Sequence, residues 1–186
     1  GTSWTKISEW VGTTGQYVHA DQQIITWRNN NQVLFGCDGG VHYSANGGTT
    51  ITDRNQGLRI KQFYAVANHP TSTNYFLAGA QDNVVHQLNN ATIGASVEVT
   101  GGDGAFVHID QNQGQYHWGS YVYNQYRRST NSCSTWTSVN YSSSAGKFIN
   151  PTDYDDVNNI MYCSGNANAF VRWSNPQTGS TFTSVT

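Results

Sequence analysis

The sequence predicts an all-β fold made of four similar units of four strands each, and three observations support this. Charged residues make up only 11% of the 186 residues, whereas aromatic residues make up 13% and there are 19 glycines. Aromatic side chains favour pleated strands, and polar glycine-rich stretches favour turns. A short phrase also recurs along the chain, and a pattern of strand, turn and strand precedes its copies. Recurrence at a regular spacing indicates a repeat architecture.

The recurring phrase, called here the recurrent motif, has the form Ser-x-x-x-(Gly)-x-Thr-aromatic-Thr. Its copies are SANGGTTITD at 44–53, STNSCSTWTSV at 129–139 and SNPQTGSTFTSV at 174–185, and a half-copy, GTSW, opens the chain. The closing residues lie 47, 85 and 46 residues apart, at Trp4, Ile51, Trp136 and Phe182. Because the middle separation is close to twice a unit of about 43 residues, we expect a degenerate copy in LNNATIGASVEV at 88–99.

Each unit contains four predicted strands in about 42–47 residues, which is the size of a β-propeller blade. In the fourth unit, alternation and turn residues predict strands at 147–151, 160–163, 170–174 and 181–185. WTKI, at 4–7, is predicted to be one extra outermost strand with no blade of its own ahead of it. An ordinary β-sandwich is the alternative, but it does not explain why one motif recurs at a regular spacing, each time after the same strand–turn–strand pattern.

The predicted domain organisation is a single propeller segment over residues 1–186. The repeats are expected at about 1–47, 48–91, 92–133 and 134–179, followed by a final outer strand. Because an outer strand precedes the first repeat, we expect the segment to belong to a larger propeller. A compact four-bladed unit, or one completed by self-association through exposed blade edges, is the alternative.

The recurrent motif resembles the Asp-box (S-x-D-x-G-x-T-W, also called the BNR repeat) of sialidase-type, sortilin-type and xyloglucan-cleaving β-propellers. DGGVHYSANGGTT, QFYAVANHP, GAQDN and GGDGAFVHID are similar to segments of bacterial secreted proteins with these repeats. The resemblance implies that the motif is the turn between the third and outermost strands of a blade, with a structural role. Its third position is Asn46 or Asn131, never Asp, and Asn175, Pro176 and Gln177 alter the last copy.

Composition excludes several classes of partner. The net charge of −2 leaves no basic stripe for a nucleic-acid backbone. No run approaches about 18 consecutive apolar residues, so no membrane span is expected. Cys37, Cys133 and Cys163 allow at most one internal disulfide because their number is odd. The composition favours an extracellular, secreted protein.

The candidate catalytic residues are Asp38 and Asp103, since glycoside hydrolysis needs two carboxylates across a groove. Asp38, in FGCDGGVHYS, resembles the hairpin that carries one catalytic aspartate in xyloglucan-cleaving enzymes, and Asp103 is the candidate partner. A tight turn is the favoured interpretation of Asp38, because Asp-Gly is a preferred hairpin pair. Sialidase chemistry would need arginines on inner strands, whereas most of the arginines fall at strand ends or beside motifs.

Ligand-binding candidates are the polar residues predicted to face a central channel, where propellers bind ligands. They are His19, Asp21, Gln81, Asp82, His108 and Asp110, joined by Trp118 and Tyr121 for carbohydrate stacking. Packing between blades is the favoured interpretation of the aromatic segment YHWGSYVYNQY.

No cofactor or transition metal is predicted. His19 with Asp21, and His108 with Asp110, place two ligands on one strand face, but no spacing supplies a third and fourth ligand. Ca²⁺ suits the Asp/Asn-rich loops TGGDG and PTDYDDVNN better, although Asp153, Asp155 and Asp156 are expected to form a solvated loop.

The sequence therefore predicts a non-catalytic extracellular module that binds a glycan or a protein, or serves as a scaffold. A fragment of a secreted glycoside hydrolase acting on β-glucan or xyloglucan is the first alternative, and a self-associating structural unit is the second.

Overall fold

The computed structural model describes residues 1–11, 15–58, 60–90 and 94–186. In these residues sixteen strands form four antiparallel sheets of four strands each, with no helix. No helix that could cross a membrane is therefore found in the described ranges. The chain divides into two compact units, an N-terminal unit (Gly1–Ile60) and a C-terminal unit (Lys61–Thr186). The predicted all-β class and the four strands per sheet are confirmed.

The N-terminal unit contains the first sheet, whose strands are hydrogen bonded in sequence order. They are β1 Gln22–Trp27, β2 Val33–Cys37, β3 Gly40–Ser44 and β4 Thr52–Asp53. The core of this unit consists of Val33 and Phe35 from β2, packed with Val18 from the segment before β1. That segment therefore covers one face of the first sheet.

The extra outer strand predicted at 4–7 is not formed, because residues 1–8 have no strand pairing. An outermost strand needs the backbone of a third strand beside it, and in the first sheet β4 already occupies that place. The chain makes its first backbone pairing after this segment, at Glu9. Glu9 N donates to Gln16 O at 2.7 Å, and Val18 N donates to Glu9 O at 3.0 Å. Trp4 is left 96% exposed.

The C-terminal unit contains the other three sheets, each again in sequence order. The second sheet comprises β5 Ala65–Asn68, β6 Phe76–Gly79, β7 Val85–Leu88 and β8 Val97–Glu98. The third comprises β9 Val107–Ile109, β10 His117–Ser120, β11 Asn124–Ser129 and β12 Thr137–Ser142. The fourth comprises β13 Thr152–Asp155, β14 Ile160–Ser164, β15 Phe170–Ser174 and β16 Thr181–Val185.

The inner strand of the fourth sheet begins later than predicted, at Thr152 and not at residue 147. Pro151 has no N–H to donate to a strand ladder. The fully buried Asn150 holds the preceding bend, because its Oδ1 accepts from Lys147 N at 2.8 Å and its Nδ2 donates to Ser164 O at 3.2 Å. Pairing therefore starts only after the proline.

Neighbouring sheets of the C-terminal unit pack face to face. The second and third sheets share a buried cluster of Leu77, Val85, Val107 and Ile109. The main cluster between the third and fourth sheets contains Trp118, Tyr126, Val139, Tyr154, Met161, Cys163, Val171 and Trp173. The main chains of the second and third sheets come very close together at Gly79, because a Cβ there would lie 1.9 Å from the carbonyl oxygen of Ala105. Only glycine fits at that position.

In the first sheet the recurrent motif forms the turn between β3 and β4. Ser44 Oγ accepts from Gly48 N at 2.8 Å, and Asn46 Oδ1 accepts from Thr50 N at 2.8 Å. Asn46 Nδ2 also donates to Thr50 Oγ1 at 3.0 Å. Two short polar side chains thus replace strand partners for the amides inside the turn.

The third-sheet copy, between β11 and β12, repeats these hydrogen bonds. Ser129 Oγ accepts from Cys133 N at 3.0 Å, and Asn131 Oδ1 accepts from Thr135 N at 2.9 Å. Cys133 stands where the first copy has glycine and adopts a φ of +69°. The same polar residues therefore close both turns.

The fourth-sheet copy, between β15 and β16, makes different hydrogen bonds. The indole N–H of Trp173, just before the copy begins, donates to Gly179 O at 3.1 Å, and Asn175 Nδ2 donates to Thr178 Oγ1 at 3.0 Å. The degenerate copy expected at 88–99 falls partly on residues 91–93, which lie outside the described residues.

The three cysteines, all in the described ranges, are free thiols. Burial raises the pKa of Cys133 and of Cys163 to about 11. Both thiols are therefore protonated at neutral pH, which makes them weak nucleophiles.

Candidate ligand-binding site

An open groove of about 310 Å³ lies along inner strands of the C-terminal unit. One wall is β5, and the other is formed by β9 with Phe106 before it. The end of the groove is lined by Gln111, Tyr154 and Asp156. The inner strands of all three sheets in this unit therefore border one concave surface.

Short side chains on β5 leave the groove open. Ala65 and Ala67 pack against the cluster between the second and third sheets, so they contribute only methyl groups to the surface. Val66, between them, points the other way, lines the groove and is 59% exposed. The groove thus has an apolar wall with one accessible branched side chain.

Gln111 closes the polar end of the groove. Its Nε2 donates to Asn68 O at 3.0 Å and to Ile109 O at 2.9 Å. Its backbone N donates to Asp156 Oδ1 at 2.6 Å. One glutamine therefore joins the ends of β5 and β9 and contacts the segment after β13.

His108 is the predicted ligand-binding residue that the structure places in this groove. Its Nε2 lies 2.8 Å from Thr152 Oγ1. Burial lowers the pKa of His108 to about 4, against smaller opposing effects of Asp153 and Thr152. The imidazole is therefore uncharged at neutral pH.

Asp110 is predicted, with His108, to face a central channel, but the structure buries it completely. Its Oδ1 accepts from the backbone N atoms of Asn112 and Gln113, each at 2.8 Å. Its Oδ2 accepts from Tyr154 OH at 2.8 Å and from Gln177 Nε2 at 2.6 Å. Burial alone raises the pKa of Asp110, but these hydrogen bonds outweigh it and hold the pKa below its ordinary value. The carboxylate therefore joins the third and fourth sheets.

The candidate catalytic residues Asp38 and Asp103 lie in different units. Asp38 is exposed in the β2–β3 hairpin, where Gln23 Nε2 donates to its Oδ1 at 2.9 Å. The next residue but one, Gly40, has a φ of +105°, which suits the tight-turn interpretation. Asp103 Oδ1 accepts from Asp82 N at 3.1 Å.

Two further candidates of the N-terminal unit lie in the segment just before β1. His19 is half-buried against Gly39, whose missing Cβ would lie 2.4 Å from the His19 side chain. Asp21 is exposed and has a φ of +56°.

Gln81 and Asp82 occupy the β6–β7 turn of the second sheet. Gln81 Oε1 accepts from Tyr64 OH at 3.2 Å, and Asp82 has a φ of +58°. Both side chains are half-buried.

Of the two stacking candidates, Trp118 lies in the core with 1% of its surface exposed. Its indole N–H donates to Pro176 O at 3.2 Å. It offers no free ring face to a ligand, so core packing explains it. Tyr121 is half-buried, with the Arg127 guanidinium 5.6 Å from its ring centre.

The expected solvated loop of Asp153, Asp155 and Asp156 is instead the end of β13 and the turn after it. Asp155 Oδ1 accepts from Val157 N at 3.0 Å and from Asn158 N at 2.9 Å. The Asn158 side chain, the largest contributor, helps to hold the pKa of Asp155 below its ordinary value. Asp155 thus serves the local backbone, whereas Asp156 accepts from Gln111 N, 45 residues away.

Sequence reasoning missed most of the groove. The two alanines at alternate positions of β5 were the available signal, because small residues on one strand face mark close packing or open space. Gln111 and Asp156 gave no such signal, since their contacts span 43 to 45 residues of sequence.

Repeated four-stranded sheets and a groove along their inner strands are features of the β-propeller, and this is the fold of the chain. Similar solved structures are β-propeller proteins. An ancestral GH74 enzyme matches with a TM-score of 0.52 and 15% identity, over 87% of this chain and 25% of that one. The GH74 enzyme of Niastella koreensis matches with a TM-score of 0.54 and 16% identity, over 86% and 29%.

YCF48 bound to D1 peptide matches with a TM-score of 0.50 and 11% identity, over 89% of this chain and 55% of that one. The chain thus spans between a quarter and just over half of the length of these three structures. No family model matches the sequence, and no curated protein does. At such low identity, the likeness concerns the fold alone.

Proposed function

We propose that this chain is a non-catalytic, extracellular propeller module of Asp-box-type repeats, part of a larger propeller, that binds a ligand in the β5–β9 groove. The groove is the observation that carries the proposal, because it is the concave surface on which inner strands of three sheets meet. Ligand sites typically combine an apolar wall with a few hydrogen-bonding groups. Here Ala65, Val66 and Ala67 supply the wall, and Asn68 and Gln111 supply the polar groups.

A neutral, hydroxyl-rich ligand suits this groove best. The His108 imidazole is uncharged at neutral pH. Gln111 Nε2 already donates to Asn68 O and Ile109 O, so Gln111 Oε1 can accept from a sugar hydroxyl, and the Asn68 side-chain amide can both donate and accept. A glycan is therefore the first ligand class, and an uncharged protein segment is the second.

Val66→Arg tests the groove directly. Val66 lines the groove and is 59% exposed, so a long charged side chain there adds bulk and charge to the groove wall without disturbing the core. Val97→Arg is the matched control, because Val97 lies on β8 of the same sheet, away from the groove, and is 51% exposed. Binding to β-glucan and xyloglucan oligosaccharides is measured by calorimetry, after a glycan and peptide array. We expect Val66→Arg to weaken binding at least about tenfold and Val97→Arg to leave it unchanged. Equal effects, or an empty array, would overturn the proposal.

The second candidate, a fragment of a secreted glycoside hydrolase, is favoured by one observation, the exposure of the Asp38 carboxylate on its hairpin. Its test is hydrolysis of β-glucan and xyloglucan by the chain and by Asp38→Asn. Hydrolysis that disappears in Asp38→Asn would replace the non-catalytic proposal with this one.

A further inference from the structure

We propose that the β5–β9 groove selects glycans that carry acetamido groups, and that the acetamido group pairs with the main chain of both strands. This inference rests on the proposed function, since it names the class of sugar that the same groove takes. Its basis is a pair of strand edges that border the groove and carry unused hydrogen-bonding groups.

β5 and β9 are both edge strands. β5 stands at one end of the second sheet and β9 at one end of the third, so each has a neighbouring strand on one side only. The two walls of the groove therefore come from sheets that have another sheet before and after them along the chain.

The hydrogen-bond register shows which main-chain groups of β5 face the groove. His69 N donates to Tyr75 O at 3.0 Å, just after β5. Hydrogen-bonded pairs alternate along an antiparallel ladder, so Ala65 and Ala67 also direct their main-chain groups to β6. Val66 therefore directs its N–H and C=O to the opposite edge. No described residue forms a hydrogen bond with either group.

The register of β9 gives the same result for Val107. Asp110 N donates to Tyr116 O at 3.1 Å, and Ser120 N donates to Phe106 O at 2.8 Å. By the same alternation, Val107 directs its N–H and C=O away from β10. Its side chain belongs to the buried cluster between the second and third sheets, and the residue lines the groove. Each wall thus offers one main-chain donor and one main-chain acceptor.

Gln111 shows that a single amide can span the two edges. Asn68 and Ile109 are the next residues along β5 and β9 that direct a C=O away from their own sheet, and Gln111 Nε2 donates to both, at 3.0 Å and 2.9 Å. Because Gln111 occupies the edge at Asn68, the free part of β5 is reduced to Val66. One residue is too short for an added peptide strand, which pairs over several residues.

An acetamido group matches these features. It is a planar trans amide whose N–H and C=O point in opposite directions, so it can pair with both walls. Its C=O accepts from Val66 N–H, and its N–H donates to Val107 O. Its methyl group packs on the apolar wall that Ala65 and Ala67 supply. A sugar that carries only hydroxyls lacks such an amide and leaves this pairing unmade.

Calorimetry with three oligosaccharides of equal length and β-1,4 linkage tests the proposal. Their units are glucose, glucosamine and N-acetylglucosamine. We expect the N-acetylglucosamine oligomer to bind the unchanged chain at least about tenfold more tightly than the glucose oligomer, because it forms two further hydrogen bonds. The glucosamine oligomer, which has the nitrogen but no acetyl group, should bind no better than the glucose oligomer.

Val66→Pro removes the N–H that faces the groove. Proline is tolerated on edge strands where the N–H is not part of the ladder, so the variant should fold. The preference for the N-acetylglucosamine oligomer should fall about fivefold. Glu98→Pro is the matched control and should keep the preference. Glu98 lies on β8, the other edge strand of the same sheet, and its N–H points away from β7 because Val99 N donates to Val85 O. Circular dichroism checks that both variants fold.

Failure of this inference is distinguishable from failure of the proposed function. Equal binding of the glucose and N-acetylglucosamine oligomers, weakened in both cases by Val66→Arg, would overturn the acetamido selectivity and leave the groove as a glycan site. If none of the oligomers binds, both proposals are overturned. A preference that Val66→Pro leaves unchanged, or binding of uncharged peptides in place of acetylated sugars, would also overturn the inference. The comparison of oligomers on the unchanged chain decides the question even if Val66→Pro does not fold.

Discussion

At the scale of single residues, short polar side chains replace backbone partners in the turns of this protein. Asn131 accepts from Thr135 N and Ser129 Oγ and donates to Thr135 Oγ1. Asn46 makes the equivalent contacts with Thr50 and Ser44. The acceptor oxygen matters most, because it fixes the backbone N–H at the end of the turn, that of Thr50 or Thr135.

Asn131→Ala should lower the free energy of unfolding by about 0.5–1.5 kcal/mol, since it removes the acceptor that fixes Thr135 N in the turn. Asn131→Asp keeps that acceptor, and Thr135 Oγ1 can donate to it, so the change should stay within about 0.5 kcal/mol. Chemical denaturation measures both, with the exposed Thr130→Ala as control. An aspartate as damaging as alanine would contradict this account of the turn.

At the scale of elements, sheets of the C-terminal unit are joined by aromatic stacking and by side chains that reach the neighbouring main chain. Trp118 and Arg128 both donate to Pro176 O, from paired positions on β10 and β11. Gly79 allows the main chain of Ala105 to approach β6. The third and fourth sheets therefore pack mainly through apolar side chains. Trp118 and Arg128 add hydrogen bonds to main-chain carbonyls of the recurrent motif.

Arg128→Ala should lower the free energy of unfolding by about 1.5–3 kcal/mol, because two carbonyls lose a charged donor where the sheets meet. Arg127→Ala is the matched control, since Arg127 donates to Ser138 Oγ on an exposed surface and should cost less than about 1 kcal/mol. Thermal or chemical unfolding distinguishes the two. Equal losses would mean that the motif carbonyls contribute little to sheet packing.

At the scale of the whole molecule, several histidines are held uncharged by burial. Burial lowers the pKa of His108 and of His117 to about 4, and it also lowers the pKa of His42 and His86. His117 is fully buried, and its Nε2 has no hydrogen-bond partner among the described residues. Protonating such a group in the folded state is unfavourable.

Acid should therefore begin to destabilise the fold at a pH above the range in which carboxylates titrate. In the unfolded chain histidine titrates near pH 6.5, so between about pH 6.5 and 4 the unfolded state binds more protons. The stability linked to these histidines is present above about pH 6.5 and is lost as the pH falls towards about 4. His117 alone should contribute up to about 3 kcal/mol of that loss.

His117→Phe checks this assignment. Phenylalanine preserves the stack on Tyr75, whose ring centre lies 5.5 Å away, but it cannot take up a proton. Urea denaturation at several pH values should show a shallower loss of stability below pH 6.5 than in the unchanged chain. Identical pH curves for the two proteins would remove His117 from the explanation.

Much of the fold followed from sequence because its signals are local. The spacing of the recurrent motif and the turn residues between its copies predicted four strands per sheet. β15 and β16 begin and end at the predicted residues. The prediction was wrong at 147–151, where Pro151 and the buried Asn150 postpone pairing. It was also wrong at 4–7, where a strand-like sequence has no third strand to pair with.

The sequence by itself determined the class of fold, the number of sheets and the position of each motif turn, because strand alternation and turn chemistry act over a few residues. Only the tertiary structure decided which side chains share a surface. It buried Trp118 and Asp110 between sheets, and it brought Gln111 to Asn68 and Asp156 at the end of the groove. These placements depend on how faces of separate sheets meet, and that packing is a long-range property which local patterns do not encode.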